Sequence, residues 1–187
     1  GALYSDGQYE SYPSMIAQQM KLAGGGNFSQ PMMPNNIGGF TNIPGFGGKY
    51  TLKLVDVIDG TAGTVIGKEL SPVPSAPAGP LDKLTGTYQN MGVPGAKSFH
   101  LIAPGYGSMA GLQTGTANPY FVRFSSSATT TVLADAVAQK PTFYSLWIGN
   151  NDVLFYAIAG ASGKDQTGNL DPKTYGPNDM TDPKVLA

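Results

Sequence analysis

The sequence predicts an α/β fold in which a mostly parallel sheet carries an inserted antiparallel hairpin. Three observations predict it. The run "TFYSLWIG" (142–149) is almost continuously apolar, as a strand buried on both faces of a parallel sheet is. The elements read in the order helix, hairpin, strand, helix, strand, helix, which alternates as α/β chains do. Two glycine turns, 92–95 and 149–152, fall at the ends of the two single strands, where open α/β sheets hold their ligands.

Each element has a local reason. "SYPSMIAQQMKLAGGG" (11–26) reads as a helix with Ser11 as cap and Pro13 in the first turn. Tyr12, Met15, Ile16 and Met20 share one face of it, expected to be buried, and Gly24–Gly26 stop it. Residues 27–48 show no periodicity and read as an irregular surface loop. "KYTLKLVDVI" (49–58) and "TVIGKEL" (64–70) flank "DGTAG", a hairpin signal. Tyr50, Leu52 and Leu54 alternate with Thr51 and Lys53, which leaves one face wet. "SPVPSAPAGP" (71–80) is an extended, proline-rich connector.

Further along, "YQNMGVPGA" (88–96) predicts a short strand ending in a glycine turn. Residues 125–140 predict a helix with Ser125–Ser127 as caps, a stripe of Val132, Leu133, Ala136 and Val137, and Pro141 as terminator. "VLFYAIAG" after the 149–152 turn predicts a short helix, and the chain beyond Gly160 reads as loop. No internal repeat occurs.

Composition narrows the function. The chain has 187 residues, enough for one domain with a real core, and 41% of them are hydrophobic. Only 12% are charged, with net charge −1, so no basic stripe exists to hold nucleic acid or an anionic membrane. The absence of cysteine removes disulfides, thiolate catalysis and thiolate metal sites. No run of 18 apolar residues suggests a membrane span.

Several motifs carry little chemistry. Gly105, Gly107 and Ala110 match G-x-G-x-x-A, but Pro104 spoils the strand end and no acidic residue follows near 125–131, so no nucleotide cofactor is expected. His100 is the single histidine, with no acid within six residues and no G-x-S-x-G elbow anywhere, and reads as structural. One histidine argues against zinc. Asp165, Asp171, Asp179 and Asp182 match no calcium-loop spacing and read as solvated, so no metal is expected.

The stronger pair is "NMGVPGAK" (90–97) and "IGNNDV" (148–153), each following a predicted strand. A glycine-turn N–H and an Asn amide are the donors of which oxyanion holes are built. Asp152 is placed to fix the second turn by accepting backbone N–H groups. Spacing alone leaves two ordinary turns equally open.

"NMGVPGA" followed some fifty residues later by "LWIGNND" resembles blocks II and III of the SGNH, or GDSL-type, hydrolases. "LYSDGQYESYPSMIAQQMKLAGGG" and "NPYFVRF" are similar to a secreted, lipid-anchored bacterial branch of these enzymes, which extends the resemblance over essentially the whole chain. The resemblance implies one three-layer flavodoxin-like domain, with an insert at about 27–80, acting on a small-molecule or lipid ester without cofactor, outside the cytoplasm. It places the oxyanion-hole Asn at Asn151 and the block II glycine at Gly95, with Gly149 and Asp152 in support. The insert's loop and hairpin would wall the acyl or alcohol pocket. The family's Gly-Asp/Asn-Ser and Asp-x-x-His motifs are absent, so the chain reads as an internal fragment holding the oxyanion half of a site. The vacant central strand position is then expected to be filled by a second segment or a swapped copy. The alternative from another class is a non-catalytic carbohydrate- or protein-binding module, with Tyr and Phe of 40–50 and 106–121 as stacking platforms.

Overall fold

Residues 3–40, 43–56, 64–70 and 83–186 are described by a computed structural model. The chain divides into two compact units, 1–90 and 91–187.

The first unit begins with helices α1 (Ser5–Tyr9) and α2 (Tyr12–Leu22). Helix α2 starts behind Ser11 with Pro13 in its first turn, but the Ser11 hydroxyl donates to Gln8 O at 2.7 Å instead of capping the helix. It ends where the glycines begin: the amides of Gly24 and Gly25 turn back to Lys21 O and Met20 O. The expected buried stripe faces outward. Tyr12, Met15, Ile16 and Met20 are all exposed, because the unit's core is built by the 27–48 loop, whose Met33 and Phe40 are buried. That loop is irregular, as expected, but it is only partly surface.

Gln8 explains how an irregular loop holds a core. Its buried side chain donates to Pro31 O at 3.1 Å and accepts from Met33 N at 2.7 Å, standing in for a ladder. Gln30 donates back to Gln8 O, and Asn90 donates to Gln30 Oε1 at 2.7 Å.

Strands β1 (Tyr50–Asp56) and β2 (Thr64–Leu70) pair antiparallel, Tyr50 opposite Leu70 and Asp56 opposite Thr64. The "DGTAG" connection and the 71–80 connector lie outside the described residues. Tyr50 and Leu52, expected to be the covered face, are 62% and 79% exposed, so this end of the hairpin is wet on both sides.

The hairpin is the one sheet among the described residues. No strand forms at 88–92; the amides of Gln89 and Asn90 both donate to Ser29 O, and Gln89 Oε1 accepts from Ser29 N. Nor does 142–149 form one: Phe143, Tyr144 and Leu146 lie exposed. A parallel strand takes all its backbone bonds from neighbouring strands, and among the described residues none lies beside this segment.

The second unit packs around "NPYFVRF". Helix α3 (Pro119–Val122) is buried along its whole length, and Phe124 and Val132 join it. Asn118 caps α3, its Oδ1 accepting from Tyr120 N at 2.9 Å, which is why so short an apolar run is helical. Ring contacts run from His100 through Tyr106 and Phe121 to Phe124, the last pair edge-on at 5.4 Å.

Helix α4 (Val132–Ala138) is shorter than predicted and is capped by Thr131, whose hydroxyl accepts from Ala134 N, not by Ser125–Ser127. Of its expected stripe Val132 is buried, while Leu133 and Val137 are exposed. Helix α5 (Asn150–Ile158) absorbs the Gly-Asn-Asn-Asp turn as its own first turn, and α6 (Pro183–Leu186) follows the loop.

Phe121 is fully buried. Phe121→Ala is expected to lower unfolding free energy by about 3–5 kcal/mol, the usual cost of emptying a core aromatic site. Urea titration of wild type and variant measures it, and a loss below about 1 kcal/mol would show that α3 is not the core.

Candidate functional site

The turn at 93–96 and the start of α5, far apart in sequence, meet in the second unit. Ala96 N donates to Val93 O at 3.1 Å across a Pro94-Gly95 turn, and Gly95 has φ +79°. That backbone disfavours any side chain, which is the reason for a glycine after the proline. A Cβ there would meet only Phe155 Cζ, at 3.8 Å, so conformation and not crowding selects the residue. Gly149 sits at the α5 N-cap with φ +104°.

Three hydrogen bonds lock the two segments together. Asn151 Nδ2 donates to Ala96 O at 2.8 Å. Ser98 donates twice to Asp152, from its N–H at 2.9 Å and from Oγ at 2.8 Å. Asp152 is completely buried. The sequence places Asp152 as acceptor for amides of its own turn; both carboxylate oxygens instead accept from Ser98, 54 residues away. The reason is that α5 begins one residue after Gly149, so Asp152 stands in a helical turn and its side chain reaches outward from it.

Two donors remain uncommitted here. Gly95 is exposed and its N–H has no acceptor among the described residues. The Asn151 amide uses one N–H on Ala96 O and keeps a second. Gly95 and Ala96 share a peptide bond, so both donors flank one short stretch of backbone.

The surroundings are charged but matched. Lys97 is buried, and its Nζ donates to Asp179 O at 2.6 Å. Burial lowers its pKa, opposed by the charges of Asp152 and Asp179. His100 accepts from Lys97 N through Nδ1 at 3.0 Å and stacks on Tyr106 at 4.3 Å. Burial chiefly, with the Lys97 charge, takes its pKa from 6.5 to about 4, against a smaller pull from Asp152. Tyr106 is pushed up to about 12 by burial, countered by the bond from Asn118 Nδ2.

Asp165 and Asp171 are exposed, as the sequence suggests, but Asp179 and Asp182 are buried and are not solvated. Asp179 accepts from Lys164 N, Gly176 N and Gln166 Nε2, and Asp182 from Gly168 N and Lys184 N. Backbone amides hold both carboxyls below their usual range, Lys164 leading for Asp179 and Gly168 for Asp182. They organise the 160–186 segment. Among the described residues no cluster of His and acidic groups could hold a metal.

Gly107 owes its place to packing and not to phosphate: a Cβ would lie 2.5 Å from that of Ser125. The stacking platforms are corrected too. Phe40, Tyr106, Tyr120 and Phe121 are buried in the core and cannot present a face to sugar or peptide, although Tyr50 is exposed.

Sequence reasoning missed Ser98, Lys97 and Asn118. Asn118-Pro119 before an apolar run is a readable helix start, and its amide also reaches Pro94 O at 2.9 Å, bracing the glycine turn. Ser98 carries no local signal, because its partner is defined only by the fold. No protein-family model matches the chain, and neither curated proteins nor solved structures give a match.

The depressed His100 pKa has a consequence for stability. The unfolded imidazole takes a proton near pH 6.5 and the folded one only near about 4. The native state therefore binds fewer protons in that window, and stability is full above pH 6.5 and falls as pH drops toward 4. The expected loss is about 3 kcal/mol at most. Urea unfolding at pH 7, 5.5 and 4 reads it, and His100→Gln should flatten the decline within that window.

Proposed function

We propose that this chain supplies the oxyanion-binding half of a carboxylic ester hydrolase of the SGNH type. The observation that carries the reading is the pair of uncommitted donors, Gly95 N–H and the second Asn151 N–H, brought to neighbouring residues of one turn by the bond from Asn151 to Ala96 O. A tetrahedral intermediate places negative charge on the former carbonyl oxygen, and fixed neutral donors bind that oxygen better than they bind the ester. The start of α5 adds the positive end of a helix dipole beside Asn151.

In this reading a Ser and a His–Asp pair outside these 187 residues perform the covalent step. The Ser hydroxyl attacks the ester carbonyl, His takes its proton and returns it to the departing alcohol, and water then releases the acid. Neither Ser98 nor His100 fills those roles. Ser98 Oγ donates to a carboxylate and the His100 Nδ1 lone pair is occupied by Lys97 N–H.

The flavodoxin-like parallel sheet belongs to the same proposal. It would convert the apolar, exposed 142–149 segment into a strand, with neighbours supplied by another segment or by a swapped copy. Extracytoplasmic placement rests on the resemblance alone; among the described residues no helix is long and apolar enough to cross a membrane.

Two outcomes test the reading. The 187-residue chain alone should leave activated aryl esters at background, since donors without a nucleophile have nothing to stabilise. Turnover that survives purification and disappears in His100→Ala would move the chemistry to another site. In the protein that includes the nucleophile, Asn151→Ala should lower kcat about 10²–10³-fold with little change in KM. Asn150→Ala should do less, and an unchanged kcat in Asn151→Ala would remove that residue from the mechanism.

A further inference from the structure

Asn151 can bind a developing oxyanion only if its amide is held still, and the structure shows what holds it. One bond, from Nδ2 to Ala96 O, fixes the rotamer. The position of Asn151 relative to Ala96 depends in turn on the adjacent residue, Asp152, which has no freedom of its own: it is fully buried and both its oxygens are taken by Ser98. Ser98 lies two residues after Ala96, at the start of the 3-10 helix Ser98–Ile102 that follows the turn. Residues 96 and 98 therefore grip residues 151 and 152 as two adjacent points of attachment, which fix orientation where a single bond would leave a hinge.

We infer that Ser98 is a positioning residue of the proposed site: through Asp152 it sets the aim of the Asn151 amide relative to the Gly95 N–H. The inference rests on the oxyanion reading of Gly95 and Asn151. Ser98 itself touches no substrate. Its backbone N–H bond is kept by Ala, Cys and Thr alike, so the hydroxyl bond is the part these substitutions change. Loss of that bond leaves one oxygen of a buried carboxylate short of a donor, and the carboxylate then shifts or draws in water. A displacement of about 1 Å at a positioned group costs on the order of 10²-fold in rate.

The test uses the protein that includes the nucleophile, as wild type, Ser98→Ala, Ser98→Cys, Ser98→Thr and Asn151→Ala. Ser98→Ala should lower kcat about 10–10²-fold with KM nearly unchanged. Ser98→Thr, which keeps the hydroxyl, should restore most of it. Ser98→Cys keeps the size but donates weakly and should resemble Ala, which covers the case of an Ala variant that fails to fold. In parallel, the side-chain amide signals of Asn151 are followed by NMR in protein labelled with 15N-asparagine. They should shift or broaden in Ser98→Ala and Ser98→Cys and return in Ser98→Thr.

If Asn151→Ala loses kcat while folded Ser98→Ala and Ser98→Cys keep it, the positioning role is overturned and the oxyanion reading stands. If Asn151→Ala keeps kcat, the oxyanion reading falls, and the positioning role falls with it. Unchanged Asn151 amide signals in the Ser98 variants overturn the positioning role even where no ester is turned over. Labelling of Ser98 by a fluorophosphonate would make it the nucleophile and overturn the assignment altogether.

Discussion

A carboxylate with no solvent contact, Asp152, constrains most of the second unit. Burying such a group is tolerable only when donors replace the water it loses. Ser98 supplies two of them, and to do so it must bring the 93–98 segment against the start of α5. Asp152 also offers its main-chain carbonyl to Thr181 N at 3.0 Å, so the chain beyond 160 is hung from it as well. Lys97, next to Ser98, reaches that segment at Asp179 O. One buried residue thus ties the glycine turn, helix α5 and the 179–182 stretch into a single arrangement.

Polar clamps of this kind recur because the described elements are short. Helix α3 has four residues and α6 four, too few to be stable through backbone bonds alone. Side chains take over where ladders are absent. Gln8 does so for the 30–33 loop, Asn118 for α3 and the Pro94 carbonyl, and Asp179 for the amides of Lys164 and Gly176. Each is buried and each is matched by more than one partner, which is the condition under which a buried polar group stabilises instead of costing. The apolar core can then be small, an aromatic column from Tyr106 to Phe124 with Val122 and Val132 beside it.

What could be read from sequence follows from how local each signal is. The hairpin, the helix at α2, its glycine stop and the Pro94-Gly95 turn depend on neighbours in the chain, and those were legible. The segments 90–97 and 148–153 were legible as a candidate pair and do meet, through the bond from Asn151 to Ala96 O, while the choice of Gly95 and Asn151 within them rests on the resemblance. Burial was not legible. Helical periodicity marks Met15, Ile16 and Val137 as one-sided, but whether that side is covered depends on elements elsewhere, and here it is exposed. Asp179 and Asp182 read as solvated because nothing in sequence reveals that folded backbone will present amides to them. Ser98 was invisible for the same reason, with its partner 54 residues away.

The electrostatics of the proposed oxyanion site follow from the same clamp. A carboxylate one residue from an oxyanion donor would oppose the charge that the donor is meant to welcome. That opposition is reduced in two ways. The Ser98 donors draw the Asp152 charge toward the 97–98 side, and Lys97 stands close enough that the two charges favour each other. His100, held neutral down to about pH 4, adds no charge of its own at neutral pH. The α5 amino end and the Asp152 clamp are both in place before any substrate arrives. Fixed donors need no reorganisation as charge develops, and that is the property on which electrostatic stabilisation of a transition state depends.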